Sequence, residues 1–111
     1  MELSKQTCKP CEGGILPMDN VSIEKQMKYA HSDWQMVVDA KAIERIFEFV
    51  DFSEAMGFVN TVAAIAEEQG HHPDIRIFDY KKVAVTLTTH AINGLSINDF
   101  IVAAKIDVIK K

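Results

Sequence analysis

The sequence predicts an α+β domain, on three observations. Apolar side chains alternate with polar ones in two pairs of short segments, residues 33–50 and 74–90, each pair joined by a turn-like break. Stretches with a helical period stand before, between and after those pairs. The 111 residues contain no internal repeat, low-complexity tract or linker, so they amount to one domain. Hairpins favour antiparallel pairing, and helices gathered on one face of such a sheet give the α+β class.

Taken in order, residues 1–19 read as a loosely ordered lead-in, because Pro10, Gly13, Gly14 and Pro17 interrupt regular structure, and the domain proper spans 20–111. Residues 21–31 place Ile23, Met27 and Ala30 at helical spacing, with Ser22 as N-cap. The period then changes: Trp34, Met36 and Val38 alternate with Gln35 and Val37, Asp39-Ala40-Lys41 makes a turn, and Ile43, Arg45, Phe47 and Phe49 share one phase. Residues 52–69 form the longest helix, capped by Asp51 or Ser53, with Phe58, Val59, Val62, Ala63, Ile65 and Ala66 as its apolar stripe. Gly70 stands where a glycine ends a helix. A second hairpin, 74–80 and 82–90, turns near Lys81-Lys82, with Val83, Val85 and Leu87 on one face and Thr86, Thr88 and His90 on the other. The last helix starts at Ile97, with Ile97, Ile101, Ala104 and Val108 as its stripe.

Composition excludes several classes of function. The chain is 48% hydrophobic and 25% charged, ordinary for a globular protein, and its formal charge of −4 gives no basic footprint for nucleic acid or anionic membrane. No signal peptide opens it, and no stretch approaches the ~20 apolar residues that span a bilayer. Its two cysteines, Cys8 and Cys11, form one CxxC, which fits a reducing cytoplasm better than a secreted disulfide framework.

The stretch that carries chemistry is "EEQGHHPDI", residues 67–75. His71 and His72 occupy the exit loop of a helix, and Pro73 biases His72 toward extended geometry. The hairpin that follows runs out along one strand and back along the next, which returns His90 toward the pair. Asp99 enters from the start of the last helix. Imidazoles titrate near neutrality and can both donate and accept protons. Three of them with a carboxylate can also hold zinc. Adjacent residues in extended chain point to opposite sides, which weighs mildly against both His71 and His72 ligating one ion. Simpler readings stand beside these. The His-His-Pro loop can be merely solvated, His90 can lie on an exposed sheet, and Asp99 can serve as the carboxylate of a capping box begun by Ser96. Trp34 and Tyr80 are explained as core or sheet residues.

Glu67, His71-His72-Pro73, Tyr80, His90 and Asp99 followed by an aromatic, at these gaps, resemble the signature of the pterin-4a-carbinolamine dehydratase family. The likeness runs from about Val21 to the end of the chain. It takes in Trp34, "RIFEF" at 45–49, the pattern along 52–67, "VTLTTH" at 85–90 and "GLSINDF" at 94–100. It implies a four-stranded antiparallel sheet with helices on one face. It also implies a hydro-lyase that removes water from a 4a-hydroxytetrahydropterin to give the quinonoid dihydropterin, so recycling the cosubstrate of aromatic amino-acid hydroxylases, phenylalanine hydroxylation among them. No metal or organic cofactor is implied. His71, His72 and His90 become the active-site imidazoles, with His72 and His90 expected to transfer protons and His71 to bind or assist. Asp99 is expected to orient His90 or the pterin, with Glu67 and Pro73 in supporting places. Phe100 stands where the family often has Trp. The CxxC lies outside the signature. Even with His31 as a third ligand it falls short of a structural zinc set, so a local structural role is expected.

The resemblance also implies rivals. Animal members act as dimerisation cofactors of a homeodomain transcription factor, a binding role for which the C-terminal helix would be the candidate surface. Relatives acting elsewhere in pterin metabolism share the pocket. A metal-dependent hydrolase or lyase built on the three histidines is the remaining reading. A homodimer or homotetramer is expected, with no direct nucleic-acid or membrane partner.

Overall fold

The computed structural model describes residues 3–8 and 17–109. Three helices, α1 (Asn20–Met27), α2 (Phe52–Gln69) and α3 (Ile97–Ile109), pack on a sheet of β1 (Gln35–Val37), β2 (Ala42–Glu48), β3 (Asp74–Phe78) and β4 (Lys82–Leu87). The strands lie in the order β1-β2-β4-β3, and every neighbouring pair is antiparallel. Short 3-10 turns occupy Leu3–Lys5 and His90–Ile92. None of the helices described is long and apolar enough to cross a membrane. Pro10, Cys11, Gly13 and Gly14, expected in a loop, lie outside the described residues.

The period-2 reading of the strands accounts for the core. Ile43, Arg45 and Phe47 on β2 stand opposite Leu87, Val85 and Val83 on β4, and all six are buried. Ile75 and Ile77 on β3 complete this face. Ala55, Phe58 and Val62 of α2 and Val102, Ala103 and Ile106 of α3 join the same core. Phe58 lies 4.7 Å from the Phe47 ring and 5.0 Å from Phe49, centroid to centroid, and Trp34 meets Phe47 edge-on at 6.3 Å.

Arg45 is the polar member of the buried row, only 9% of its side chain exposed. Asp107 near the end of α3 is what makes this tolerable. Its Oδ1 accepts from Arg45 Nη1 at 2.6 Å, and its carboxylate also accepts from the Trp34 indole at 2.9 and 3.0 Å. The guanidinium also stacks 4.4 Å from the Phe47 centroid.

Several expected details are corrected. Asp19, not Ser22, caps α1: the Ser22 amide donates to Asp19 Oδ1 at 2.8 Å, and the helix stops at Met27. That amide holds the Asp19 carboxyl below the ordinary carboxylate range. The cap's contribution is therefore present above the unfolded-state value and is lost as pH falls through the folded one. In α2 the cap is Asp51, and the buried stripe is Ala55, Phe58, Val62 and Ala66, with Ala63 exposed. Met36 and Val38 are exposed, because β1 is a three-residue edge strand and Val38 has already joined the turn. The second hairpin turns at Asp79-Tyr80, both at positive φ, so Tyr80 is an exposed turn residue and not a core or sheet residue. In α3, Ile97 and Val108 are exposed, while Asn98, Asp99 and Phe100 are buried. That helix is apolar nearly all round; it packs against α2 and the Leu3–Lys5 turn and shares the core cluster with the strands. Apolarity alone could not set its phase.

Two outcomes test this account. Asp107→Ala strands a buried guanidinium and should cost about 3 kcal/mol in urea denaturation, whereas Asp107→Asn, which keeps an acceptor for Trp34, should cost less. Val38 is a β-branched residue held at φ 54°, with its side chain exposed. Val38→Asn should raise stability by about 0.5–1 kcal/mol; an unchanged denaturation midpoint would show that the turn carries no strain there.

Candidate active site

The site is built where α2 ends, β4 ends and α3 begins. Gly70 takes the left-handed conformation at φ 64°, and its amide and that of His71 both donate to the Ala66 carbonyl. The chain leaves the helix through His71 and His72, which belong to no regular element, and Pro73 leads into β3. Adjacent residues in extended chain face opposite ways, and here the difference is large. The His71 side chain is 11% exposed, against 59% for His72.

At the other end of the hairpin, β4 stops at Leu87. Thr88 Oγ1 donates to the Lys41 carbonyl at 2.6 Å. Thr89 pairs with Gly94 as an isolated bridge, its amide donating at 2.9 Å, which closes the loop around the 3-10 turn of His90–Ile92. Gly94 leaves no room for a side chain, since a Cβ there would lie 2.5 Å from Pro17 Cβ. His71, His72 and His90, with Gly70, Thr88, Thr89 and Ala91, line one open cavity of about 250 Å³. The antiparallel return thus brings the three imidazoles together.

Asp99 has no exposed side-chain surface. Expected to orient His90 or a substrate, it bonds His71 instead, Oδ1 to Nε2 at 2.6 Å. Its Oδ2 accepts from Thr89 Oγ1 at 2.8 Å and from the Ser96 amide at 3.0 Å. The capping contact to Ser96 and the histidine contact coexist on one carboxylate. Three donors on a side chain removed from water are what a buried carboxylate requires. Glu67, by contrast, is exposed and lies 3.7 Å from His72 Nε2, a loose surface pair of small energetic weight. His90 is exposed, and its ring has no hydrogen-bond partner among the described residues. Tyr80 is not brought in: it sits at the turn of the β3–β4 hairpin, the end opposite to the histidines.

Ser96 was read only as the start of the capping box, and Thr89 escaped the sequence reading. Thr89 is buried and precedes His90, and Ser96 stands three residues before Asp99, but neither spacing alone announces a bond between them. The Cys8 amide donates to Gln69 Oε1 and its thiol to the Asn98 carbonyl, so the N-terminal segment touches both elements that carry the His71–Asp99 pair. Cys11 lies outside the described residues. Among those residues no group of three His, Cys, Asp or Glu side chains is arranged to hold a metal ion. A larger depression of about 570 Å³, lined by Tyr29, His31 and Asp107 among others, lies elsewhere and offers less chemistry, since Asp107 is already bonded to Arg45 and Trp34.

Comparison with known sequences decides the family. The profile described as Pterin 4 alpha carbinolamine dehydratase matches residues 16–109. The chain belongs to the pterin-4-alpha-carbinolamine dehydratase family. Provisionally named dehydratases of this family from Halorhodospira halophila and Nitrosomonas europaea are 45% and 43% identical to it. The first covers 98% of this chain and 98% of its own, the second 99% and 95%. Among solved structures, a transcriptional coactivator/pterin dehydratase from Brucella melitensis superposes with a TM-score of 0.79 at 35% identity, over 86% of this chain and 99% of its own. A pterin dehydratase-like protein identified as a RuBisCO assembly factor in the alpha-carboxysome shares the fold, at a TM-score of 0.59 and 24% identity over 72% of this chain and 94% of its own.

In this family member the loop that presents His90 closes on Gly94, which packs against Pro17. Gly94→Ala should therefore cost about 1–3 kcal/mol and displace the amide resonances of Thr89 and His90. A variant as stable as the parent, with those resonances unmoved, would show that the Pro17 contact does not shape the site.

Proposed function

We propose that this protein dehydrates a 4a-hydroxytetrahydropterin by acid–base catalysis from histidine. The observation that carries the reading is the convergence of three imidazoles on one cavity, one of them bonded to a buried carboxylate. Family membership supplies the substrate class.

The elimination needs two proton transfers. Hydroxide is a poor leaving group from C4a unless its oxygen is protonated, and the new C4a=N5 double bond requires loss of the N5 proton. One imidazolium gives a proton to the departing oxygen, which leaves as water, and one neutral imidazole takes the proton from N5. Such assistance is typically worth ~10²–10⁴ in rate. His72 and His90 fit these transfers, being exposed to the cavity and not committed to a buried partner. His71, fixed by Asp99, binds and orients the heterocycle. Pro73 biases the His72 backbone toward extended geometry, and Glu67 tethers its ring loosely. The cavity is small and open for a ligand site, which suits a bicyclic ring system with its side chain outside. On this reading the protein recycles the cosubstrate of an aromatic amino-acid hydroxylase in the cytoplasm, as a homodimer or homotetramer, with residues 20–111 as the catalytic domain.

A binding role is the second reading, favoured by the coactivator designation of the Brucella melitensis relative. The C-terminal helix is a poor surface for it. Most of α3 is buried, and its exposed large apolar residues are Ile97, Val108 and Ile109.

The test follows loss of a 4a-hydroxytetrahydropterin generated in place, with and without the protein and EDTA. Acceleration should survive EDTA and fall about tenfold or more in His72→Ala or His90→Ala. No acceleration by well-folded wild-type protein would sink the assigned reaction and bring the binding role forward.

A further inference from the structure

We propose that Thr89 and Ser96 form a hydroxyl relay that positions His71 through Asp99, selecting which ring nitrogen of His71 is presented to the substrate. The idea rests on the dehydratase reading for its catalytic consequence, but the relay itself is a property of the resting protein.

Proton counting fixes its direction. Thr89 Oγ1 lies 2.8 Å from Asp99 Oδ2 and 2.7 Å from Ser96 Oγ. A hydroxyl has one proton to donate, and a carboxylate only accepts. Thr89 therefore gives its proton to Asp99, and the Ser96–Thr89 contact must run from Ser96 to Thr89. Both hydroxyl dipoles then point toward the carboxylate, an arrangement in which each bond strengthens the next. The Ser96 amide adds a third donor on the same oxygen at 3.0 Å.

With Oδ2 saturated in this way, Oδ1 is left facing His71 Nε2 at 2.6 Å. In the tautomer carrying its proton on Nδ1, a nitrogen lone pair would oppose a carboxylate lone pair at that distance. The neutral ring is therefore held with its proton on Nε2 and its lone pair on Nδ1. His71 becomes an acceptor of defined orientation, the property a group that binds or orients a pterin N–H needs. Thr89 is suited to the task by its backbone as well. It is buried, and its pairing with Gly94 fixes the main chain that presents the hydroxyl. Thr89 and Ser96 are positioning residues: their hydroxyls spend themselves on the carboxylate and act on the substrate only through His71.

Thr89→Val keeps the shape and removes the hydroxyl, Thr89→Ser restores it, and Ser96→Ala removes the donor to Thr89 while leaving the amide cap. The first readout is the ¹⁵N spectrum of the His71 ring, which reports the tautomer without any turnover. Wild type and Thr89→Ser should show a single form protonated at Nε2, and Thr89→Val and Ser96→Ala a mixture. The second is steady-state kinetics, where kcat should fall about tenfold in Thr89→Val with KM held within about twofold. A single unchanged tautomer in folded Thr89→Val overturns the relay. Should that variant fail to fold, an unchanged His71 spectrum in Ser96→Ala overturns it equally. A wild-type spectrum with mixed tautomers does so at once. The expected spectral change in a protein that turns over no pterin would uphold the relay and discard the dehydratase reading.

Discussion

A carboxylate with no contact to water has to be met by donors, and in this fold Asp99 is met from three parts of the chain. His71 arrives from the exit of α2, Thr89 from the end of β4 and Ser96 from the lead into α3. An unmet carboxylate in that position would cost several kcal/mol. The three segments are therefore constrained to meet at one point, and the imidazole loop is held where β4 delivers its own histidine. The site exists because the carboxylate must be satisfied.

The same helix carries a second such point. Asp99, Ala103 and Asp107 lie along one i, i+4, i+8 row of α3, with the first carboxylate in the initial turn and the other near the end. Between them the buried Val102, Ala103 and Ile106 face the apolar sheet. Burial supplies the affinity of α3 for the sheet, while the two carboxylates fix its sliding and rotation: Asp107 can satisfy Arg45 and Trp34 in only one register. Hydrophobic contacts are too forgiving to set that register alone.

How much of this the sequence disclosed depends on what kind of force decides each feature. Alternation exposed the strands and put Arg45 in one phase with Ile43 and Phe47, because side-chain direction in a strand follows from backbone geometry. The partner that makes Arg45 tolerable, 62 residues away, was not legible, since no local pattern encodes it. The second turn, expected near Lys81-Lys82, centres on Asp79-Tyr80, and the expected Asp39–Lys41 turn begins one residue earlier at Val38, both for the opposite reason. Left-handed backbone is normally announced by glycine or asparagine, and here it is imposed on ordinary residues by the strands on either side. The helix phase of α3 failed because a segment covered on several sides has no polar face to mark its orientation. The grouping of His71, His72 and His90 was readable from hairpin length. That Asp99 would choose His71 was not, because the choice depends on which of two adjacent rings turns inward.

That inward and outward turning divides the imidazoles by their access to bulk solvent. His71 is packed and locked, while His72 and His90 are open to water. An elimination of the kind proposed leaves its acid without a proton and its base with one too many, so the enzyme must be reset before it can act again. Buried acid–base pairs do this through an internal wire of waters or side chains. Here both rings are open to solvent, so under the proposed assignment each would regain its starting protonation by exchange with buffer, and no internal wire would be required.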